Sequence, residues 1–350
     1  MKVFKYILIL LVVFLISGYF LVQNHSVQNK LFENTVRALF QTNEIFMNDA
    51  LSVAVCGSRA PLPSPNRAET CLLVQAGTSK FIIDTGRGSA DNLQKWRVDY
   101  SDLEAVILSH LHSDHISDLH EVQFQSWLGG RKTPLSVIGP IGTASTAQGF
   151  EQAFKLDSIY RSEHHGAILP IEAYGYDVVE FEGDAKLIFE NEDTKITAFK
   201  VDHSPVDPSY AFKIEYKDRS IVISGDTVSL EVMTEYSKGV DVLFHDALAK
   251  PLIQEMEKIS EEIGNNIVSK VLFDIQDYHA NTVEVADIAR RAKVDLLVFY
   301  HLIPAPRNYI SEQMFLRGVD EIFTNYHVSE DGTLVSLPAG SDEILIDLID

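Results

Sequence analysis

Cysteine is scarce in this 350-residue chain: Cys56 and Cys71 are the only two, and neither has the spacing of a metal-ligating pair. A disulfide-dense scaffold and a cysteine-held metal centre are both excluded. The two cysteines fall on the arms of what reads as the first hairpin, so a bond between them in an oxidising compartment and a pair of buried thiols are both open. Positive charge is short as well. Against 50 Asp and Glu there are 29 Lys and Arg, a net charge of −21, which at long range repels polyanions. No internal repeat or low-complexity linker divides the chain, and about 300 residues beyond the amino terminus are enough for one large α/β domain.

The longest apolar run, Tyr6 to Val22, has no charged side chain and follows Lys2 and Lys5. It is just long enough to span a thin bilayer. With lysines before it and no compact small-residue cleavage site after it, it reads as a signal anchor with a cytoplasmic amino end. The expected division is a cytoplasmic stub (1–5), a transmembrane anchor (6–22), a juxtamembrane segment (23–50) with a helix within Val27 to Phe46, and an exported domain (51–350). The location of that domain is then periplasmic or extracellular.

Histidine is concentrated where it matters most. Ser109-His110-Leu111-His112-Ser113-Asp114-His115 follows the apolar run Ala105 to Leu108 and packs three imidazoles and a carboxylate into seven residues. An extended loop turns alternate residues to one side, so His110 and His112 can share one ion while Asp114 and His115 reach a second. Imidazole with a few carboxylates favours zinc, with manganese and iron left open.

Five further apolar runs end on residues able to serve the same site. Phe81-Ile82-Ile83 leads into Asp84, Ile196 to Val201 into Asp202 and His203, and Ile221 to Gly225 into Asp226. Val240 to Phe244 leads into His245, and Leu296 to Tyr300 into His301. Short β-rich runs of this kind read as buried strands. Metal-competent residues recurring at their carboxyl ends imply one shared edge, where open α/β sheets place ligands.

The series His110-x-His112-x-Asp114-His115, His203, Asp226, His301 resembles the metallo-β-lactamase superfamily, in the branch shared by ribonuclease Z and the alkyl/arylsulfatase-like hydrolases. Supporting segments are Val55 to Ser58 with Asn66-Arg67, Asp84 to Gly88, Val137 to Pro140, Ser224 to Thr227 and Tyr278 to Thr282. The resemblance covers roughly residues 51 to 340. It implies an α/β fold, an αββα sandwich of two mixed sheets with helices outside, here preceded by the membrane helix. Two Zn²⁺ ions are implied, one on His110, His112 and His203, the other on Asp114, His115 and His301, with Asp226 bridging and a metal-bound hydroxide as nucleophile. Asp114 is a catalytic candidate that also orients the nucleophile, and Asp84 fixes a ligand imidazole. In ribonuclease Z the strand matching Val240 to Phe244 is followed by His-Glu-Ala-Thr, whose histidine protonates the leaving group. Here the residues are His245-Asp246-Ala247-Leu248, which makes His245 a candidate general acid that competes with a buried packing role. His279, just before a helix capped by Asn281 or Thr282, is a candidate for the substrate site or for supporting a ligand.

The expectation is a membrane-anchored dinuclear zinc hydrolase of small sulfate or phosphate esters, arylsulfatase-like. The alternatives are a ribonuclease Z-like phosphodiesterase or tRNA 3′-processing endonuclease, and a lactone or β-lactam hydrolase. A catalytically silent envelope scaffold is disfavoured by the complete ligand set. Expected partners are a small anionic ester and, through the helix, the membrane; a homodimer is open. Nucleic acid is disfavoured by charge, since Phe150 to Lys195 contains 11 acidic and 4 basic residues and reads as an insert covering the substrate.

Overall fold

The computed structural model describes residues 2–41 and 43–349, with the side chains of residues 2 and 3, and so that of Lys2, outside the description. The chain divides into two compact units, Met1–Asn43 and Glu44–Asp350. In the first, helix α1 (Lys2–Gln23) includes a 20-residue stretch, Phe4–Gln23, with a mean hydropathy of 2.4. At 1.5 Å per residue it is roughly 30 Å long, the thickness of a bilayer core. Helix α2 (His25–Leu39) follows at once, because the Asn24 side chain accepts hydrogen bonds from the backbone N–H groups of Ser26 and Val27 and restarts the helix as an N-cap.

In the second unit the strands are β1 (Ala50–Gly57), β2 (Cys71–Ala76), β3 (Ser79–Ile83), β4 (Leu103–Ile107), β5 (Leu135–Pro140), β6 (Tyr176–Phe181), β7 (Ala185–Glu190), β8 (Thr194–His203), β9 (Val206–Tyr216), β10 (Arg219–Ile223), β11 (Val242–Leu248), β12 (Leu296–Ile303), β13 (Tyr326–Val328), β14 (Thr333–Pro338) and β15 (Leu345–Leu348). They form an eight-stranded sheet in the order β15-β14-β1-β2-β3-β4-β5-β6 and a seven-stranded sheet in the order β13-β12-β11-β10-β9-β8-β7. Strands β3 to β6 and β10 to β13 run parallel and their neighbours antiparallel, so both sheets are mixed.

Period-two alternation sorts each strand between two cores. Ile221, Ile223, Val298 and Tyr300 point between the sheets, where they meet Leu51, Val53 and Phe81. Val222, Leu297 and Phe299 point outward, against Val285, Ile288 and Ala289 of the helix Thr282–Ala292. Each such side chain, fully buried, contributes roughly 1.5–3 kcal/mol. On the outer face of the first sheet, Leu73, Ile82 and Val106 pack with Leu93 and Val122 of the helices Ser89–Lys95 and Leu119–Leu128. The result is the αββα sandwich expected from the sequence.

Two expectations change in detail. Phe150 to Lys195 is no covering insert: its strands β6 and β7 close the edges of the two sheets, because alternating residues such as Phe181 and Phe189 complete the inter-sheet core. The juxtamembrane helix begins at His25 and ends at Leu39. The open question about cysteine closes in favour of a bond, Cys56 to Cys71, with Cα atoms 4.9 Å apart on the paired strands β1 and β2.

Candidate metal centre

Strand ends from both sheets deliver the site. His110 follows β4, Asp84 follows β3, His203 closes β8, Asp226 follows β10, and His301 lies near the end of β12. From His110 to His112 the loop is extended, and His112 then caps a short helical turn, Ser113–Ile116, that swings Asp114 and His115 toward the opposite side of the site. His301 needs a special backbone. Asp246 pairs with Tyr300 and Ala247 with Leu302, so His301 is an extra, bulged residue with φ of 44°. A bulge of this kind re-aims one side chain without ending the strand. Asp84 is also left-handed, at φ 58°. Beyond it, a Cβ on Gly86 would stand 2.2 Å from the Asp114 carbonyl oxygen, so only glycine lets these two loops touch.

The seven predicted ligand residues come together. His110, His112, His203 and Asp226 bring ligand atoms within 4.8 Å of one another, as do Asp114, His115 and His301. Asp226 lies between the sets: its Oδ2 is 3.3 Å from Nε2 of His115 and of His301, 3.7 Å from Nε2 of His203 and 3.8 Å from Nε2 of His110. Three of the imidazoles are held from behind. His115 Nδ1 donates to Asp84 at 2.8 Å, His203 Nδ1 donates to the Tyr278 carbonyl at 3.0 Å, and His110 Nδ1 is 3.1 Å from Ser109 Oγ. Such outer partners fix the tautomer and aim the other nitrogen inward.

The electrostatics suit cations. Burial works to raise the Asp226 pKa, but the His301 and His115 imidazoles outweigh it and hold the carboxyl well below its usual range. Asp114 is brought down to about 2 against the effect of burial, chiefly by His115 and His301. Burial, with His115 beside it, pushes His110 well below the ordinary imidazole value, leaving a neutral ligand. Asp226 Oδ1, His115 Nε2 and His301 Nδ1 are buried without a hydrogen-bond partner, which is costly unless something else engages this group of donors. Hard carboxylates and borderline imidazoles, converging with unsatisfied atoms, fit divalent metal ions.

The two remaining candidate histidines separate. His279 joins Asp226, Asp246 and His301 in a third cluster of convergent ligand atoms, and its ring centre is 5.0 Å from that of His203. His245 is fully buried, belongs to none of these clusters, and has Nδ1 2.8 Å from the backbone carbonyl oxygen of Asp246. Asp246, given no role from the sequence, touches both: its carboxylate oxygens lie 3.0 Å from His245 Nδ1 and 2.9 Å from His279 Nδ1. A polar residue inside an otherwise apolar strand end was the available signal. Tyr278, whose carbonyl orients His203, had no signal of its own.

A family model for the anti-Pycsar protein Apyc1 matches residues 56–268. The chain is 34% identical over 261 residues to a ribonuclease Z of Mycobacterium bovis, covering 73% of this chain and 87% of that protein. Among solved structures, the metallo-β-lactamase fold protein YhfI from Bacillus subtilis aligns with a TM-score of 0.61 at 21% identity, over 82% of this chain and all of that one. The short form of human tRNase Z aligns with a TM-score of 0.57 at 19% identity, over 82% and 99%. These two likenesses show the fold.

Proposed function

From a chain that belongs to the metallo-β-lactamase superfamily, in its ribonuclease Z branch and in the family of the anti-Pycsar protein Apyc1, we infer a metal-dependent phosphodiester hydrolase. The observation that carries this reading is the Asp226 carboxylate standing between two sets of convergent ligands. The phosphodiesterase alternative takes the place of the arylsulfatase-like reading of small sulfate or phosphate esters, because the relative matched at 34% identity is named ribonuclease Z.

Nucleic acid returns as a plausible substrate for the same reason. A net charge of −21 describes the whole surface, whereas binding depends on the field where the substrate docks. An RNA terminus is therefore the second reading.

In this proposal His110, His112 and His203 hold one ion, Asp114, His115 and His301 hold the other, and Asp226 reaches both. The ions, zinc by the donor chemistry, would supply a nucleophile at neutral pH and stabilise phosphoryl charge. Asp84 keeps the His115 ring in place. Asp114 orients the nucleophile. His279 carries the proton for the leaving oxygen, with Asp246 holding its Nδ1 so that Nε2 remains free. That task moves from His245, which is fully buried and lies outside the clusters of convergent ligand atoms.

The α1 helix anchors the protein, and the Cys56–Cys71 bond supports an exported domain, since such bonds persist in oxidising compartments.

The test is hydrolysis by detergent-solubilised, metal-loaded full-length protein of bis(p-nitrophenyl) phosphate, p-nitrophenyl sulfate and a tRNA precursor. The diester should be cleaved and the sulfate spared, with loss of activity on chelation. Cleavage of the sulfate alone would overturn the reading. Cleavage of the precursor at its 3′ side would establish the RNA substrate.

A further inference from the structure

A cavity of about 430 Å³ opens on His112 and His203, and its outer wall is made by Val206, Val271, Asp274, Asp277 and Tyr278. No Lys or Arg lines it. Asp274 is paired with Lys270, one turn earlier on the helix Asn266–Asp274. Asp277, exposed at the rim, has no hydrogen bond or ion pair among the described residues. The Tyr278 ring, on the next residue, lines the same cavity, and its centre is 5.0 Å from that of His203 in an edge-on arrangement. The carbonyl of the same residue accepts the His203 Nδ1 proton. The residue whose backbone aims the His203 imidazole thus also brings its aromatic ring, and the Asp277 carboxylate one position earlier, into the wall of the same cavity.

Resting on the phosphodiesterase reading, we propose that this wall selects zwitterionic phosphodiesters, those whose second alcohol carries an alkylammonium group, seated on the Tyr278 ring beside Asp277. Three properties of the wall point the same way. An ammonium group is attracted by a ring face and by a carboxylate at once, and the two attractions strengthen as water is displaced. Its methyl or methylene groups have Val206 and Val271 to lie against. A second phosphate in this place would meet Asp277, with Lys270 already paired to Asp274, so a polyanion gains little from the wall. A neutral nucleobase would gain stacking on the ring but nothing from the charge.

Three p-nitrophenyl diesters test this on the metal-loaded full-length protein: the phosphorylcholine ester, its uncharged isostere the 3,3-dimethylbutyl phosphate, and thymidine 5′-p-nitrophenyl phosphate. In each, water's oxygen bonds to phosphorus as the P–O(aryl) bond breaks, p-nitrophenolate leaves, and the proton goes to solvent. The wild-type protein should prefer choline to dimethylbutyl by about tenfold in kcat/KM, residing mostly in KM. In Asp277→Asn that ratio should fall toward one, and Asp277→Lys should invert it; in Tyr278→Leu it should fall as well. Release of phosphorylcholine from phosphatidylcholine vesicles, rather than from the soluble ester alone, would identify a lipid headgroup as the source of the ammonium. A ratio near one in the wild type, a ratio insensitive to Asp277, or a preference for the thymidine ester would each overturn the proposal while leaving phosphodiester hydrolysis standing. Failure to cleave any of the three would overturn both.

Discussion

Asp246 Oδ2 accepts a 2.9 Å hydrogen bond from Nδ1 of His279, joining a strand end to the loop that follows the helix Asn266–Asp274. With Nδ1 so engaged, the other ring nitrogen of His279 is the one available for proton transfer. His279→Ala should therefore retain metal yet slow hydrolysis of diesters with basic leaving groups by about 10²–10⁴-fold, and slow nitrophenyl esters far less. His245→Ala, which empties a fully buried position, should instead lower the melting temperature and reduce both substrates alike. Equal leaving-group sensitivity in the two variants, measured by steady-state kinetics, would return the proton to His245.

Asp226 should behave unlike any histidine around it. Its Oδ2 is within 3.8 Å of four imidazole nitrogens, so Asp226→Ala should lower occupancy of both metal sites together. His203→Ala should empty one set first. Metal content after dialysis, read by plasma emission, distinguishes these, and two fully occupied sites in Asp226→Ala would refute the bridging role.

Asp331 gathers the first hairpin. Its carboxylate accepts from the Ser58 backbone N–H and hydroxyl, the Ala68 N–H and the Asn92 amide. Asp331→Asn sets an amide donor against two of these donors and should cost about 2–3 kcal/mol. Burial pushes the Asp331 pKa above 3.8, so the folded state holds this proton more tightly than the unfolded one. The stability it contributes is present below that value and is lost as pH rises through the folded value. The gap between wild type and Asp331→Asn in urea melts should thus narrow as pH rises above about 4. A gap that widens would contradict the sign.

The bond between Cys56 and Cys71 closes a short loop, with a sequence separation of 15, so the Cys56→Ser/Cys71→Ser double variant should lose about 3 kcal/mol. In intact cells, protein from membranes washed in high salt should show no free thiol until reduced, and its domain should be reached by protease only from the exported side. Salt extraction, or free thiols without reductant, would count against anchoring and export.

Much of this protein was legible before any coordinates. Ala105 to Leu108, Ile221 to Ile223 and Leu296 to Tyr300 announce buried strands, because parallel strands covered on both faces must be apolar throughout. The polar residue after each run marks the sheet edge, so the residues that converge there could be named along with the fold. The apolar span at the amino terminus was equally plain, since length and lack of charge are local properties.

Tertiary structure decided what depends on residues distant in sequence. Whether Cys56 and Cys71 meet depends on the pairing register of β1 with β2. Phe150 to Lys195 has a composition that suits an exposed cover, but Phe181 and Phe189 pack into the inter-sheet core and make edge strands of it. That His279 Nδ1 lies against the Asp246 carboxylate beside the ligand cluster, and that His245 lies outside it, depends on the direction of side chains, and composition carries no direction. The same holds for the bulge at His301 and for the unpaired carboxylate of Asp277: each is a relation between neighbours brought together by folding, and chain order alone does not contain it.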